Sequence, residues 1–316
     1  MNETLAEVGE FALIDRLTRD VVRGPEVSLG PGDDGAVISV DGALVISVDV
    51  LNEGVHFRTD WVAPADDGHR AIAGAVADIE AMGAVPTNVL VALSAPPDLE
   101  TTWFDRFMAG VLEECETAHV TLVGGDLSGA RALAAAVTAL GMTRGRPVIT
   151  RAGAQPGDAV AIKGRVGGAA AGLAVLARGF RSPRALVSAY QRPQVPYGAG
   201  AEAARHGATA LIDVSDGLVA DLGHIAALSS VVIDLDSGTL DIPEPLQAVA
   251  HATGKDPLDF VLAGGEDHAL VGTFPFGGVP QTWTVLGRVQ HLDGRDPQIL
   301  VDGQEWLGAR GWAHFA

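Results

Sequence analysis

Six short segments of the chain set an acidic residue against glycine, serine or the end of an apolar run. They are Gly30-Pro31-Gly32-Asp33-Asp34, Ser47-Val48-Asp49, Ala77-Asp78-Ile79, Gly124-Gly125-Asp126, Asp213-Val214-Ser215-Asp216 and Gly264-Gly265-Glu266-Asp267. Scattered carboxylates of this kind suit several hard cations. Mg²⁺ takes oxygen ligands, keeps much of its water and shares a few protein carboxylates with substrate phosphates, so the pattern points to phosphate chemistry rather than to a structural metal cage.

Each segment also has a plainer reading. Asp33 and Asp34 can be ordinary turn residues, and Asp49 the solvated last residue of a β-branched strand. Asp78 is less ordinary: Ile72, Val76, Ile79 and Met82 define an apolar helical stripe, and a short acid in mid-helix is a poor helix former. Asp126 follows the apolar run from Val120 to Val123 and two glycines, which suits a strand end where backbone closely approaches a ligand. Ser215 and Asp216 read as an N-cap and a first-turn acid, whereas Asp213 has no capping role. His56 alone reads more simply as a hydrogen-bonded residue after a strand than as a catalyst. Trp312, close to the end of the chain, reads either as core packing or as a lid that stacks on a ring.

Two phosphate-binding motifs can be tested directly. Gly30, Gly32 and Gly35 satisfy G-x-G-x-x-G, but the loop runs into a strand and carries two carboxylates where a pyrophosphate needs amide donors. No G-x-x-x-x-G-K-[ST] occurs, and the only lysines are Lys163 and Lys255. A nucleotide bound here would rely on metal ions for most of its charge neutralisation.

The 316 residues are 47% hydrophobic and carry a formal charge of −19. The length allows a large core and favours two domains over one. The charge argues against a basic nucleic-acid face, and no nucleic-acid partner is expected. The chain starts without a basic and apolar leader pattern, and no apolar run reaches the ~18 residues a membrane span needs; the expectation is a cytoplasmic protein with no membrane partner. Cys115 is the only cysteine, so intrachain disulfides and thiolate zinc clusters are excluded, and its helical stripe marks it as structural.

The elements that must position the acids follow from periodicity. Helices are expected from Glu10 to Val22, Asp67 to Met82 and Thr101 to Ala118. A strand is expected at Ala36 to Val40 and four more at Ala43 to Asp49, Asn88 to Leu93, Val120 to Val123 and Ala132 to Leu140, the four giving a four-stranded α/β sandwich. The polar stretch from Thr143 to Asp158 is the best boundary, dividing residues 1–148 from 149–316. Beyond it come strands at Ala159 to Lys163, Ala208 to Val214, Val231 to Leu235 and Ala269 to Phe274. Helices lie between them, at Gly167 to Arg178, near Arg184 to Tyr190, at Gly198 to His206 and from Asp216 to Leu228.

Eight segments in fixed order resemble one family, the thiamine-monophosphate kinases of the aminoimidazole-ribonucleotide-synthetase-like superfamily. They are Gly9-Glu10-Phe11-Ala12-Leu13-Ile14, Gly30-Pro31-Gly32-Asp33-Asp34-Gly35-Ala36-Val37, Ser47-Val48-Asp49 with Glu53-Gly54-Val55-His56-Phe57, Asp78-Ile79-Glu80-Ala81-Met82-Gly83-Ala84, Leu122-Val123-Gly124-Gly125-Asp126, Arg151-Ala152-Gly153-Ala154-Gln155-Pro156-Gly157-Asp158, Asp213-Val214-Ser215-Asp216-Gly217-Leu218 and Gly264-Gly265-Glu266-Asp267. The resemblance implies an α/β (α+β) two-domain synthetase-like fold. Its N-terminal metal/ATP-binding domain dimerises into a shared β-barrel, and its C-terminal α/β domain completes the site. The implied activity is ATP- and Mg²⁺-dependent phosphorylation of thiamine monophosphate to thiamine diphosphate by a homodimer.

By matching positions, Asp33, Ser47, Val48, Asp49, Asp78, Asp126, Asp213 and Asp216 would form the Mg²⁺ shell. Gly125, Asp126, Arg151 and Ser215 would meet ATP, and His56, Glu266 and Trp312 the thiamine phosphate. Asp49, Asp126, Arg151 and Asp213 would carry most of the catalysis. Val48 replaces a usual threonine, Leu127-Ser128-Gly129 a usual Thr-Thr-Arg, and His268 a common tyrosine. Selenophosphate synthetases would carry a reactive cysteine or selenocysteine and a nearby lysine, and hydrogenase-maturation relatives a terminal cysteine; this chain has neither pattern. Purine-pathway synthetases fit the segments less well, and a silent metal or nucleotide sensor would need fewer carboxylates.

Overall fold

The protein, described here from a computed structural model, is followed over residues 3–19, 21–31, 35–309 and 311–312. Two compact units emerge. The first takes the chain to Ile79 and from Val85 to Gly145; the second takes Glu80–Ala84 and the chain from Arg146 onward. Asp33 and Asp34 lie outside the described residues.

In the first unit, α1 (Leu5–Val8) and α2 (Glu10–Thr18) lead to β1 (Val27–Leu29) and β2 (Val37–Ile38), an antiparallel pair joined by the glycine-rich loop. Next come β3 (Leu44–Asn52), α3 (Pro64–Ala81), β4 (Val85–Ala95), α4 (Thr101–Ala118), β5 (Thr121–Gly129) and β6 (Ala134–Met142). The last four strands form a sheet in the order β3-β6-β4-β5. Strands β4 and β5 run parallel, as a helical crossover through α4 requires.

Cross-strand pairing sorts this sheet into two faces. Asp49, Val137, Val91 and Gly125 align across one; Val50, Ala136, Ala92 and Asp126 align across the other. The first face is packed: Val91, Val137, Ala139 and Leu93 are buried, as are Ile72, Val76 and Ile79 of α3. β5 continues well past Val123, so Asp126 lies inside a strand and not after one. The reason is Gly125, where a side chain would collide with the Val91 carbonyl of β4. Its missing Cβ serves the neighbouring strand.

The second unit contains β7 (Ala159–Lys163), α5 (Gly168–Leu176), α6 (Arg184–Gln191), α7 (Ala199–Arg205), β8 (Ala210–Val214), α8 (Leu218–Ser229) and β9 (Val232–Leu235). It continues with α9 (Glu244–Thr253), α10 (Pro257–Ala263), β10 (Ala269–Phe274), β11 (Thr284–Gln290), β12 (Gln298–Val301) and β13 (Gln304–Glu305). Among the described residues its strands form one sheet in the order β13-β12-β9-β11-β7-β10-β8. Every residue of β8 and β10 is buried. Their near-continuous apolar runs are what a two-sided core demands. Helix α8 packs Leu218, Leu222 and Ile225 into that core. The sequence reading missed α9, α10 and β11 to β13, whose short runs lack a clean period.

Helix α3 contains one costly residue. Asp67 is fully buried and neither carboxylate oxygen has a hydrogen-bond partner. Burial pushes its pKa from 3.8 up to about 8, helped by the charges of Asp66 and Glu53 and opposed by Arg70. The folded protein thus holds a proton that the unfolded chain releases, so stability falls as pH rises from the unfolded value toward the folded one. Asp67→Asn removes the charge at constant volume. It is expected to be more stable than the parent by ~1–3 kcal/mol at about pH 8, with a smaller difference at about pH 5, in urea unfolding curves. A gain that does not change with pH would contradict this assignment.

Candidate active site

In the first unit, strand geometry puts Ser47 and Asp49 on the packed face of β3, two residues apart. Helix α3 brings Asp78 to the same place, where its carboxylate accepts a 2.6 Å bond from the Ser47 hydroxyl. This contact supplies the hold on a mid-helix acid that the sequence lacked. Asp49 Oδ1 accepts from the Val50 amide at 2.7 Å. Val48, between them, turns its side chain outward and is exposed. Past the end of β3, His56 accepts from the Asn52 amide at Nδ1, at 2.9 Å. That bond fixes the neutral ring with its proton on Nε2.

Asp126 is exposed on the opposite face of the sheet from Asp49 and is not gathered with it. A cavity of about 580 Å³ runs beside it, lined by Gly30, Pro31, Gly35, Gly124, Gly125 and Asp126 among others. The glycine-rich hairpin loop and the Gly-Gly-Asp segment, distant in sequence, therefore line one cavity.

In the second unit several of the candidate residues meet at one turn. β8 ends at Val214 and α8 begins at Leu218, with Gly217 as its N-cap at φ 135°. Ser215 and Asp216, expected as cap and first-turn acid, instead precede the helix. The reason is Asp221, four residues into the helix start. Its Oδ2 accepts from the amides of Asp216 (3.1 Å) and Gly217 (3.0 Å), so the capping acceptor comes from inside α8. The carbonyls of the same turn take amides from elsewhere: Val214 from His268 (2.9 Å), Ser215 from Glu266 (2.8 Å) and Asp216 from Trp312 (3.0 Å). His268 Nδ1 also lies 3.3 Å from Asp213 Oδ2. Glu266 and His268 hold positive φ values of 70° and 52°. Such backbone costs of order 1–3 kcal/mol for non-glycine residues and persists where surrounding bonds over-determine it.

Arg151 is exposed on a segment beside the outer edge of β8, where the Thr150 carbonyl accepts from Leu211 at 3.2 Å. The Gly-Gly-Glu-Asp segment divides its labour. Glu266 joins the turn, while Asp267 is buried and accepts from the amides of Gly167 (2.6 Å) and Ala169 (2.8 Å) at the start of α5. Glu80 does the same for α7, accepting from Gly198 and Gly200 at 2.7 Å each.

Burial raises all three of these carboxyls to about 7. The nearby Asp213 charge adds to the rise at Asp221, and the donated amides oppose it at Glu80 and Asp267. The sequence reading missed Asp221, which holds the 214–217 turn, and Glu80, which holds the start of α7. Their one signal, an acid in an otherwise apolar helical stripe, does not name the amides they hold.

The donor atoms offered by Ser47, Asp49, Asp78, Asp126, Asp213 and Asp216 are all oxygens, the chemistry of hard cations. Among the described residues no three Asp, Glu, His or Cys side chains gather into a ready-made metal cage.

Residues 32–143 match the family described as "AIR synthase related protein, N-terminal domain". A Mycobacterium tuberculosis protein named thiamine-monophosphate kinase is 46% identical over 314 residues, covering 99% of this chain and 93% of the relative. The Stenotrophomonas maltophilia thiamine-monophosphate kinase structure superposes with a TM-score of 0.81 at 32% identity, over 94% of this chain and 98% of that one. The structure described as "AaThiL complexed with AMPPCP and TMP" superposes with a TM-score of 0.79 at 33% identity, over 98% of each chain. With sequence and fold both shared over nearly the whole length, the chain belongs to the thiamine-monophosphate kinase family.

Proposed function

We propose that this protein transfers the γ-phosphoryl group of ATP to the phosphate of thiamine monophosphate, giving thiamine diphosphate and ADP. The observation that carries the reading is the 214–217 turn. One backbone segment holds two candidate cation ligands, Asp213 and Asp216, beside two candidate substrate contacts, Glu266 and Trp312. Family membership supports it, together with the AMPPCP and TMP named for the AaThiL structure.

The acceptor explains why no general base stands out. A phosphate monoester has a second pKa of about 6 and is already mostly dianionic at neutral pH. One of its oxygens forms a bond to the γ-phosphorus as the bond from that phosphorus to the bridging oxygen of ADP breaks. What the protein must overcome is repulsion. Two charges 4 Å apart interact by ~4 kcal/mol at an effective dielectric of 20, so phosphates brought into line beside these aspartates need compensation.

Mg²⁺ would supply that compensation by neutralising phosphate oxygens and holding them in line. In the first unit Ser47, Asp49 and Asp78 are candidate cation ligands; in the second, Asp213 and Asp216 are. Asp33, the Val48 carbonyl and Asp126 complete the proposed set. Gly125, Asp126, Ser215 and the exposed Arg151 would face ATP, with Arg151 adding positive charge. His56, with its proton placed on Nε2 by the Asn52 amide, would donate to the thiamine phosphate. Trp312, exposed, would cover its ring system.

Assembly is part of the same proposal. Among the described residues strand β3 is the last strand of its sheet, paired only with β6. Leu44, Ile46, Val48 and Val50 are exposed along one of its faces, Ile46 at 60% and Val48 at 63%. An exposed apolar edge strand is an association surface, and a second copy of this chain is its proposed partner. The enzyme is proposed to be cytoplasmic; among the described residues no helix is long and apolar enough to cross a membrane.

Three measurements test the reading. Purified protein with ATP, Mg²⁺ and thiamine monophosphate is expected to form thiamine diphosphate, followed by chromatography. Asp49→Asn should lower turnover by ~100-fold or more with an unchanged circular dichroism spectrum, and full activity would remove Asp49 from the cation set. Ile46→Lys should shift the protein from dimer to monomer in sedimentation velocity. A parent that already sediments as a monomer would overturn the assembly.

A further inference from the structure

We propose that Asp221 is the positioning residue that sets the geometry of the substrate contacts, acting through two consecutive peptide planes. The inference rests on the phosphoryl-transfer reading above. In the Ser215–Asp216 peptide, the N–H donates to Asp221 Oδ2 at 3.1 Å while the carbonyl accepts from Glu266 at 2.8 Å. In the next peptide, Asp216–Gly217, the N–H donates to the same oxygen at 3.0 Å while the carbonyl accepts from Trp312 at 3.0 Å. A peptide group is rigid and planar, so fixing its N–H fixes its C=O. One buried oxygen thereby aims the two carbonyls that hold Glu266 and Trp312.

The surroundings leave that oxygen little substitute. A Cβ on Gly265 would collide with the Ser215 carbonyl, and one on Gly311 would come within 2.7 Å of the Asp216 carbonyl. The segments carrying Glu266 and Trp312 therefore press directly on the turn. Without an acceptor at residue 221, two amides lose their bonds and both planes can rotate. Rotation carries the Glu266 and Trp312 backbones with it. Because both bonds end on one oxygen, the role requires an acceptor atom and not a charge. Asparagine can fill it; alanine cannot.

The test compares the full-length parent with Asp221→Ala and Asp221→Asn. Hydrogen exchange by mass spectrometry is read without substrate, and steady-state kinetics with ATP, Mg²⁺ and thiamine monophosphate. The alanine variant should exchange faster in peptides covering 214–217, 264–268 and 311–312, while the interior of α8 keeps its protection. Its kcat/KM for thiamine monophosphate should fall by ~10–100-fold, the range for residues that orient a site's direct contacts. The asparagine variant should restore both.

If the alanine variant does not fold, Asp221→Ser, whose hydroxyl is too short to reach both amides, takes its place. Unchanged exchange at 264–268 and 311–312, or an asparagine variant as damaged as alanine, overturns the inference. A parent that does not phosphorylate thiamine monophosphate overturns only the activity, since the exchange comparison still decides the role of Asp221.

Discussion

A carboxylate can leave water only where something replaces its hydration, and in the second unit that replacement is the start of a helix. Helices α5, α7 and α8 each begin at a glycine N-cap, at Gly167, Gly198 and Gly217, which has no side chain to receive the first amides. In each case a buried carboxylate accepts two amides at or just before that start: Asp267 and Glu80 from elsewhere in the chain, Asp221 from within its own helix. The exposed N–H groups and the positive end of the helix dipole make this the favourable place for a negative charge. The glycines give the acid room to approach. Asp67, without such amides, shows the cost of the alternative in its strongly raised pKa.

This constraint shapes the candidate active site. Since Asp221 caps α8 from within, Ser215 and Asp216 are released from capping and their peptide groups face other segments. The same carbonyls then hold Glu266 and Trp312, and strained backbone at Glu266 and His268 is tolerated because those bonds fix it. The candidate residues are thus carried on a loop anchored to a buried core, with β8, β10 and α8 as the support.

In the first unit the period of a strand does the corresponding work. Strand β3 directs Ser47 and Asp49 to the packed side and Ile46, Val48 and Val50 to the open side. One short segment thereby carries the candidate cation ligands on one face and exposed apolar side chains on the other. Val48 is an example: its outward side chain suits the open face, and only its backbone is available for a polar role.

The sequence by itself determined the fold class, the family and most element positions. α4, β7 and β10 coincide with their expected spans because long apolar stripes and β-branched runs report burial locally. It also singled out the candidate acids, since residue type and spacing against glycine and serine are local properties. Tertiary structure alone decided their partners. Asp78 found Ser47 across 31 positions, Asp267 found α5 across about 100, and Glu80 found α7 across 118 and 120. It also decided that Gly125 yields to Val91, that Asp126 faces away from Asp49, and that Gly217, not Ser215, begins α8. The physical reason is that a hydrogen bond depends on where two groups meet in space, and for groups this far apart in the chain only the assembled sheets and helices set that position.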